Sequence, residues 1–377
     1  MIRVAVIMGK MHSGGKKNLV MEYYRNIDRS KVQFDFICDE DSNAIPVGEI
    51  ERLGGRVYIV APYQHIVKNL RDIKKILKAN NYKIVHGYNG TMNVFSMFIA
   101  KCCGVPIRIN ESISMAHNAD KKTYIKNILK PFSKCFCTHY MANGEECGRW
   151  QFGDKAFEEG KVAVFKTVVN TEKNCFDEQL REKCREEFGL KDSIVIGHIG
   201  RLTEQKNTLF IIDIFKEISK REEKAKLLII GDGNLREEML KKIKSYGLDD
   251  KVLYLGRRED IHQFYNAMDC FVLPSLYEGL PVVGVEAECH GLPMFYSTEI
   301  PKESSISEDT GVFLDLGLGA KKWAEIVLEK TKSNMTVRCD QREKAKMAGF
   351  DSEEEGIKLT NWYESQFDFL KPEFSGM

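Results

Sequence analysis

Two cations and two carboxylates in the second half of the chain have the spacing to hold a charged, hydroxyl-rich ligand. Arg201 and Lys206 lie in Gly200-Arg201-Leu202-Thr203-Glu204-Gln205-Lys206-Asn207, a stretch that reads as the turn between a strand and a helix. A guanidinium fork and an ammonium point charge gathered at one helix start suit a diphosphate. The plainer alternative is two solvated cations, with Asn207 capping the helix. Glu278 and Glu286 lie in Glu278-Gly279-Leu280-Pro281-Val282-Val283-Gly284-Val285-Glu286, again after a strand. Pro281 suits a first helical turn, which leaves Glu278 in the loop and Glu286 farther along the helix. Two carboxylates near one helix start can accept from sugar hydroxyls. A solvated helix face is the alternative for Glu286. Its neighbours Val282, Val283, Val285 and Ala287 point to burial, and a buried carboxylate needs a partner. A third stretch, Met8-Gly9-Lys10-Met11-His12-Ser13-Gly14-Gly15, follows the first strand. Gly14 and Gly15 allow backbone N–H groups to approach an anion closely, although a plain tight turn explains them as well. The dinucleotide pattern Gly-x-Gly-x-x-Gly is missing, which disfavours an oxidoreductase.

These residues must be positioned by strands that end in loops. The first half alternates short β-rich runs (Ile2–Met8, Val32–Ile37, Val57–Val60, Ile84–His86, Ile107–Asn110, Phe136–Ala142) with helical patterns at Leu19–Ile27, Ile66–Ala79 and Thr91–Cys103. The second half repeats the rhythm. Its strands are Ile194–Ile199, Lys226–Ile230, Val252–Leu255, Cys270–Leu273 and Met294–Tyr296. Its helices are Leu209–Arg221, Leu235–Tyr246, Ile261–Ala267, Val283–His290 and Lys322–Thr331. Strand, helix, strand in this order predicts an α/β fold with two parallel, doubly wound sheets. The boundary is placed near Lys166–Asn174. The aromatic-rich pattern Glu353–Phe369 is expected to cross back to the N-terminal domain. Ligands of such sheets bind at the carboxyl ends of the strands, where the motifs stand.

Bulk properties agree with two folded domains. The chain has 377 residues, 43% hydrophobic and 29% charged, enough for two cores and far from disordered composition. Its longest apolar runs are strand-sized, so neither a membrane span nor a signal peptide is expected. The 11 cysteines, an odd number without repeating spacing, point to free thiols in a reducing, cytoplasmic setting. Cys135, Cys137 and His139 alternate on one face, but no second ligand pair has metal spacing, so core packing is the expectation. Residues 1–168 carry 26 Lys and Arg against 16 Asp and Glu, and the remainder carries 30 against 39. The net charge of +1 gives no reason to expect nucleic acid, but the two halves are suited to different partners.

Taken in order, Gly200–Asn207, Ile230-Gly231-Asp232-Gly233, Asp269–Pro274, Glu278–Glu286 and Gly291-Leu292-Pro293 resemble the GT-B-fold retaining glycosyltransferases of family four. The resemblance is particularly to those that build bacterial capsular and exopolysaccharides. It covers nearly the whole chain and is strongest over Val195–Pro293. It implies two Rossmann-like domains facing an interdomain cleft. Residues 1–168, completed by a C-terminal helix within 353–377, would bind the acceptor, and residues 172–350 the nucleotide-sugar donor. The implied reaction moves a hexose-type sugar from a nucleotide-diphosphate donor, a UDP-sugar, to a glycan or lipid-linked acceptor. No metal or other cofactor is implied, because Arg and Lys neutralise the leaving group. By this resemblance Arg201 and Lys206 hold the diphosphate, Glu278 the donor sugar and Glu286 the ribose hydroxyls. Gly200 forms the turn, and the backbone of Gly279, Leu280, Pro281 and Val282 lies near the phosphates. Gly14 and Gly15 match the N-terminal loop over donor and acceptor, and Arg257 the nucleobase region. His86 fits the Val-His ending of the fourth strand, a structural histidine being the alternative.

The chain departs from the family pattern after the fifth strand, where a histidine is common. The stretch reads Asn110-Glu111-Ser112-Ile113-Ser114-Met115-Ala116-His117-Asn118. Either Glu111 takes the expected position, as the ungapped match has it, or His117 does after a local insertion. The usual Asn-Gly-Ile-Asp hinge reads Thr167-Val168-Val169-Asn170. A basic stripe on Asp120–Lys134 (Lys122, Lys126, Lys130, Lys134) and another on Ile66–Lys78 (Lys68, Arg71, Lys74, Lys75, Lys78) read as solvated faces or as docking faces for the anionic inner leaflet. Three rivals stand beside this reading. A metal-dependent transferase would use Asp39-Glu40-Asp41, which comes too early in the chain. A nucleotide-sugar epimerase or phosphorylase, or a non-catalytic nucleotide-sugar-binding partner, would share the architecture without transfer.

Overall fold

The structure, a computed structural model, describes residues 1–12, 14–115, 123–334, 338 and 340–370. It divides into two compact units, Met1–Val168 with Asp351–Met377, and Val169–Phe350.

Unit 1 is built on seven strands: β1 (Ile2–Gly9), β2 (Val32–Asp39), β3 (Arg56–Val60), β4 (Ile84–Gly87), β5 (Ile107–Ser112), β6 (His139–Ala142) and β7 (Val162–Val164). They lie in the order β3-β2-β1-β4-β5-β6-β7 and every pairing is parallel. The apolar runs of β1 and β2 are buried on both faces, as helices on both sides of a parallel sheet require. β6 begins at His139, so Cys135 and Cys137 precede the strand instead of sharing its face. The Cys137 thiol donates to Ser133 O at 3.1 Å, and burial pushes it up to about 12. His139 Nε2 meets Gln366 Oε1 at 2.9 Å. The helix expected over Asp120–Lys134, of which residues 120–122 lie outside the described residues, does not run through to Lys134. An α-helix at Thr123–Leu129 gives way to a 3-10 turn at Lys130–Phe132, because Pro131 cannot continue it.

The helix Ser352–Asp368 is capped by Asp351, whose carboxylate accepts from Glu353 N and Glu354 N, both at 3.0 Å. It packs on the Gly15–Asn26 helix. A Cβ at Gly356 would fall 2.6 Å from Asn26 O, and Thr360 Oγ1 accepts from Asp28 N at 3.0 Å.

Unit 2 holds β8 (Ile194–Ile199), β9 (Ala225–Ile230), β10 (Val252–Tyr254), β11 (Cys270–Leu273), β12 (Met294–Ser297) and β13 (Gly311–Leu314). Their order is β10-β9-β8-β11-β12-β13, again parallel throughout. Both sheets therefore reverse direction beside their first strand, as in doubly wound Rossmann-like folds. The turn at Asn170 lacks the family's Gly and Asp and uses another device. Asn170 Oδ1 accepts from Lys173 N at 2.9 Å, and Val169 N donates to Phe350 O at 2.9 Å. No helix among the described residues is long and apolar enough to cross a membrane.

Candidate functional site

The motif loops of unit 2 leave the carboxyl ends of β8, β9 and β11, at the point where β9 and β11 flank β8. They pack backbone against backbone. Gly200 N donates to Ile230 O at 2.9 Å, Leu202 N to Asp232 O at 3.1 Å and Gly231 N to Gly256 O at 2.8 Å. Gly231 has φ of +138°, and a Cβ there would overlap the carbonyl oxygen of Gly200, so the approach requires glycine. Gly256 attaches the loop carrying Arg257, an exposed residue, to the same edge.

Lys206 is 9% exposed, and its Nζ lies 2.6 Å from Glu278 Oε1. Gln205 Nε2 donates to Tyr277 O at 3.1 Å and reaches Glu278 Oε2 at 3.5 Å. Arg201 Nη2 donates to Gln205 Oε1 at 3.1 Å. Leu276 N donates to Gln205 O at 2.8 Å, which ties the loop after β8 to the loop after β11. The structure thus joins Arg201, Lys206 and Glu278 into one connected set. The connector is Gln205, which sequence reasoning left without a role. Its only signal was position, four residues after Arg201 and next to Lys206.

Glu286 is held separately. Its Oε2 accepts from Tyr265 Oη at 2.8 Å. Burial, reinforced by the charge of Glu286, pushes the Tyr265 hydroxyl well above the usual phenol range, so it remains a donor. His290 stacks on the Tyr265 ring at 5.1 Å between centroids, and its Nδ1 lies 2.7 Å from Glu286 O. Tyr265 is therefore the partner that a part-buried carboxylate needed. It comes from the Ile261–Ala267 helix, too distant in sequence for spacing to reveal it.

The helix Val282–Cys289 begins directly after Pro281. Among the described residues no side chain caps it and no acid occupies its first turn, so its leading N–H groups can face an anion. Gly279 O accepts from Ser304 Oγ at 3.4 Å, and Leu280 is 6% exposed beside it. Behind Gly200, His198 is fully buried. Its Nδ1–H donates to Val272 O at 3.0 Å, and its Nε2 has no hydrogen-bond partner among the described residues. Burial holds this imidazole down to about 4, hence neutral beside Lys206.

In unit 1, Gly14 precedes the Gly15–Asn26 helix, whose first turn no side chain caps among the described residues. Lys16 Nζ donates to Asn89 Oδ1 at 3.0 Å nearby. His86 on β4 and Glu111 on β5, the candidate side chains of unit 1, are both buried. His86 is 0% and Glu111 2% exposed, and His86 Nε2 lies 2.9 Å from Glu111 Oε2. His86 Nδ1 lies 2.6 Å from Tyr363 Oη, and Tyr88 stacks on the imidazole. Strand ends alone did not reveal that the C-terminal helix supplies this tyrosine. His117 lies outside the described residues.

Two parallel Rossmann-like sheets, the second with cations and carboxylates at its switch point, define the GT-B class of glycosyltransferases. The chain belongs to the group 1 glycosyltransferases: residues 181–348 match the family described as "Glycosyl transferases group 1". It is 30% identical over 372 residues to the putative glycosyltransferase EpsF of Bacillus subtilis, covering 96% of each chain. It is 27% identical over 319 residues to the UDP-Gal:alpha-D-GlcNAc-diphosphoundecaprenol alpha-1,3-galactosyltransferase of Escherichia coli, covering 78% of this chain and 79% of that one. Among solved structures it is similar to Anabaena HepE in complex with UDP-glucose, with a TM-score of 0.78 at 16% identity, covering 96% of this chain and 99% of that one.

Proposed function

We propose that this glycosyltransferase moves a hexose from a UDP-sugar, bound by unit 2, to a glycan or lipid-linked acceptor, bound by unit 1, in polysaccharide biosynthesis. Transfer retains the anomeric configuration and uses no metal ion. The observation that carries this reading is the Lys206–Glu278 pair at 2.6 Å, joined to Arg201 through Gln205. The UDP-glucose complex of HepE and the lipid-linked acceptor named for the Escherichia coli relative support the choice of ligands.

As the anomeric C–O bond breaks, positive charge builds on the sugar and the electron pair leaves with the diphosphate. Arg201, Lys206 and the start of the Val282–Cys289 helix place fixed positive charge at that oxygen, the role a divalent ion plays elsewhere. Glu278 takes hydroxyls of the donor sugar and Glu286 those of the ribose. Arg257 is assigned to the base.

The test is transfer from UDP-glucose or UDP-galactose to a lipid-diphosphate N-acetylglucosamine acceptor in EDTA, with the product read by NMR. An α-linked product formed at full rate is expected. A β-linked product overturns retention, and activity recovered only with added Mg²⁺ overturns metal independence. Interconversion of the two UDP-sugars without acceptor identifies an epimerase instead.

The same reading places unit 1 on an anionic membrane surface. The Ile66–Asn80 helix buries Asn69, Ile73 and Leu77 and turns Lys68, Arg71, Lys74, Lys75 and Lys78 to solvent. Tyr124, Ile125, Ile128 and Phe132 are at least half exposed or close to it, at 76%, 52%, 49% and 52%. The second basic stripe is weaker than expected, because Lys126 and Lys134 turn back to Met115 O and Phe152 O. Each cation near such a surface contributes about 1 kcal/mol. Co-sedimentation with phosphatidylglycerol vesicles at low salt, lost at high salt or in a Lys68→Glu/Lys75→Glu variant, is the expected result. Equal pelleting with neutral vesicles, or none with either, dismisses the surface.

A further inference from the structure

Gln205 is a neutral amide set between a cation and a carboxylate, and both ends of the amide are used. Its Oε1 accepts from Arg201 Nη2 at 3.1 Å, while its Nε2 donates to Tyr277 O at 3.1 Å and faces Glu278 Oε2 at 3.5 Å. Turned over, the amide would set N–H against guanidinium and oxygen against carboxylate, so its orientation is determined by its neighbours. The backbone is fixed too, through Leu276 N at 2.8 Å. Glu278 therefore has one oxygen on Lys206 and the other toward Gln205.

Two consequences follow from electrostatics. Arg201 is exposed and would otherwise sample many rotamers, so a charge-assisted hydrogen bond that holds it removes ordering that a ligand would have to supply. With an apolar residue at 205, Arg201 is free to swing onto the nearby carboxylate, where the opposite charge would hold it away from a diphosphate.

We propose that Gln205 is a positioning residue, which keeps the Arg201 guanidinium aimed at the donor diphosphate and insulates it from Glu278. The inference rests on the function proposed above. Its readout is the affinity for UDP, which carries the diphosphate but no sugar for Glu278 to hold.

The experiment is calorimetric titration of UDP into the full chain and four variants: Gln205→Leu, Gln205→Glu, Arg201→Ala and Gln205→Leu/Arg201→Ala. Gln205→Leu is expected to weaken UDP roughly tenfold, the value of one hydrogen bond to a charged group. Gln205→Glu keeps the size of the side chain but captures Arg201 in an ion pair, and is expected to weaken UDP at least as much. The double variant should bind no worse than Arg201→Ala alone, because Gln205 acts through Arg201. A merely structural glutamine would instead give penalties that add. Additive penalties, or Gln205→Leu and Gln205→Glu variants that bind UDP like the parent, overturn the inference. A parent chain that does not bind UDP overturns the donor assignment itself, which is a different result.

Discussion

Replacing Lys206 by alanine is expected to lower kcat for sugar transfer by roughly 10²–10³-fold, the usual effect of removing one fixed electrostatic donor from a developing negative charge. The change removes two things at once. The departing diphosphate loses the cation that meets it, and Glu278, with its side chain 11% exposed, loses the ammonium 2.6 Å from Oε1. An acid left without its partner in a sparsely hydrated site is costly, so the variant should also melt earlier than the parent. Lys206→Met/Glu278→Gln separates the two effects, because it removes the ion pair without stranding a charge. Its melting point should return toward the parent while turnover stays low. Steady-state kinetics at saturating donor, beside thermal melts, checks both. If Lys206→Ala turns over within a few-fold of the parent, the neutralisation of the leaving group lies elsewhere.

The motif residues of unit 2 were legible because they are local. Gly200 to Asn207 and Glu278 to Glu286 each sit in one strand–loop–helix turn, where short spacing fixes what can meet. The sheets were legible for a related reason: strands buried on both faces read as unbroken apolar runs, as in Val4–Met8 and Cys270–Leu273. What the sequence hid was contact between distant segments. Tyr265 reaches Glu286 from another helix, and Tyr363 reaches His86 from the far end of the chain. Neither pairing leaves a periodic trace. β7 and β13, Val162–Val164 and Gly311–Leu314, are edge strands that the sequence reading passed over, although strands as short, such as β10, were found. Glu111, which the family match sets where a histidine is common, also meets the imidazole of the neighbouring strand, a contact between strands that spacing does not show.

Glu111→Ala is expected to cost unit 1 about 1–3 kcal/mol, the penalty for leaving a buried polar group without its partner. The contacts of His86 set the direction. His86 Nε2 lies 2.9 Å from Glu111 Oε2, close enough for an ion pair though not aligned for a hydrogen bond. His86 Nδ1 lies 2.6 Å from the Tyr363 hydroxyl. Burial raises that phenol well above its usual range, which keeps its proton in place to donate. The cluster thus runs from the C-terminal helix through β4 to β5, and no member of it is solvated. Alanine at 111 leaves His86 Nε2 without the carboxylate beside it in a dry site. Glutamine keeps an acceptor oxygen at nearly the same place, so Glu111→Gln should lose only about 1 kcal/mol. Urea unfolding of a full chain in which Trp150 and Trp323 are replaced by Phe, followed by the fluorescence of Trp362 on the Tyr363 ring, reads the difference. The same pair of variants decides between tether and catalyst: a tether predicts near-parental turnover for Glu111→Gln. If that variant keeps its stability but loses turnover a hundredfold, the carboxylate acts on substrate, and the His86 pair is where it rests between encounters.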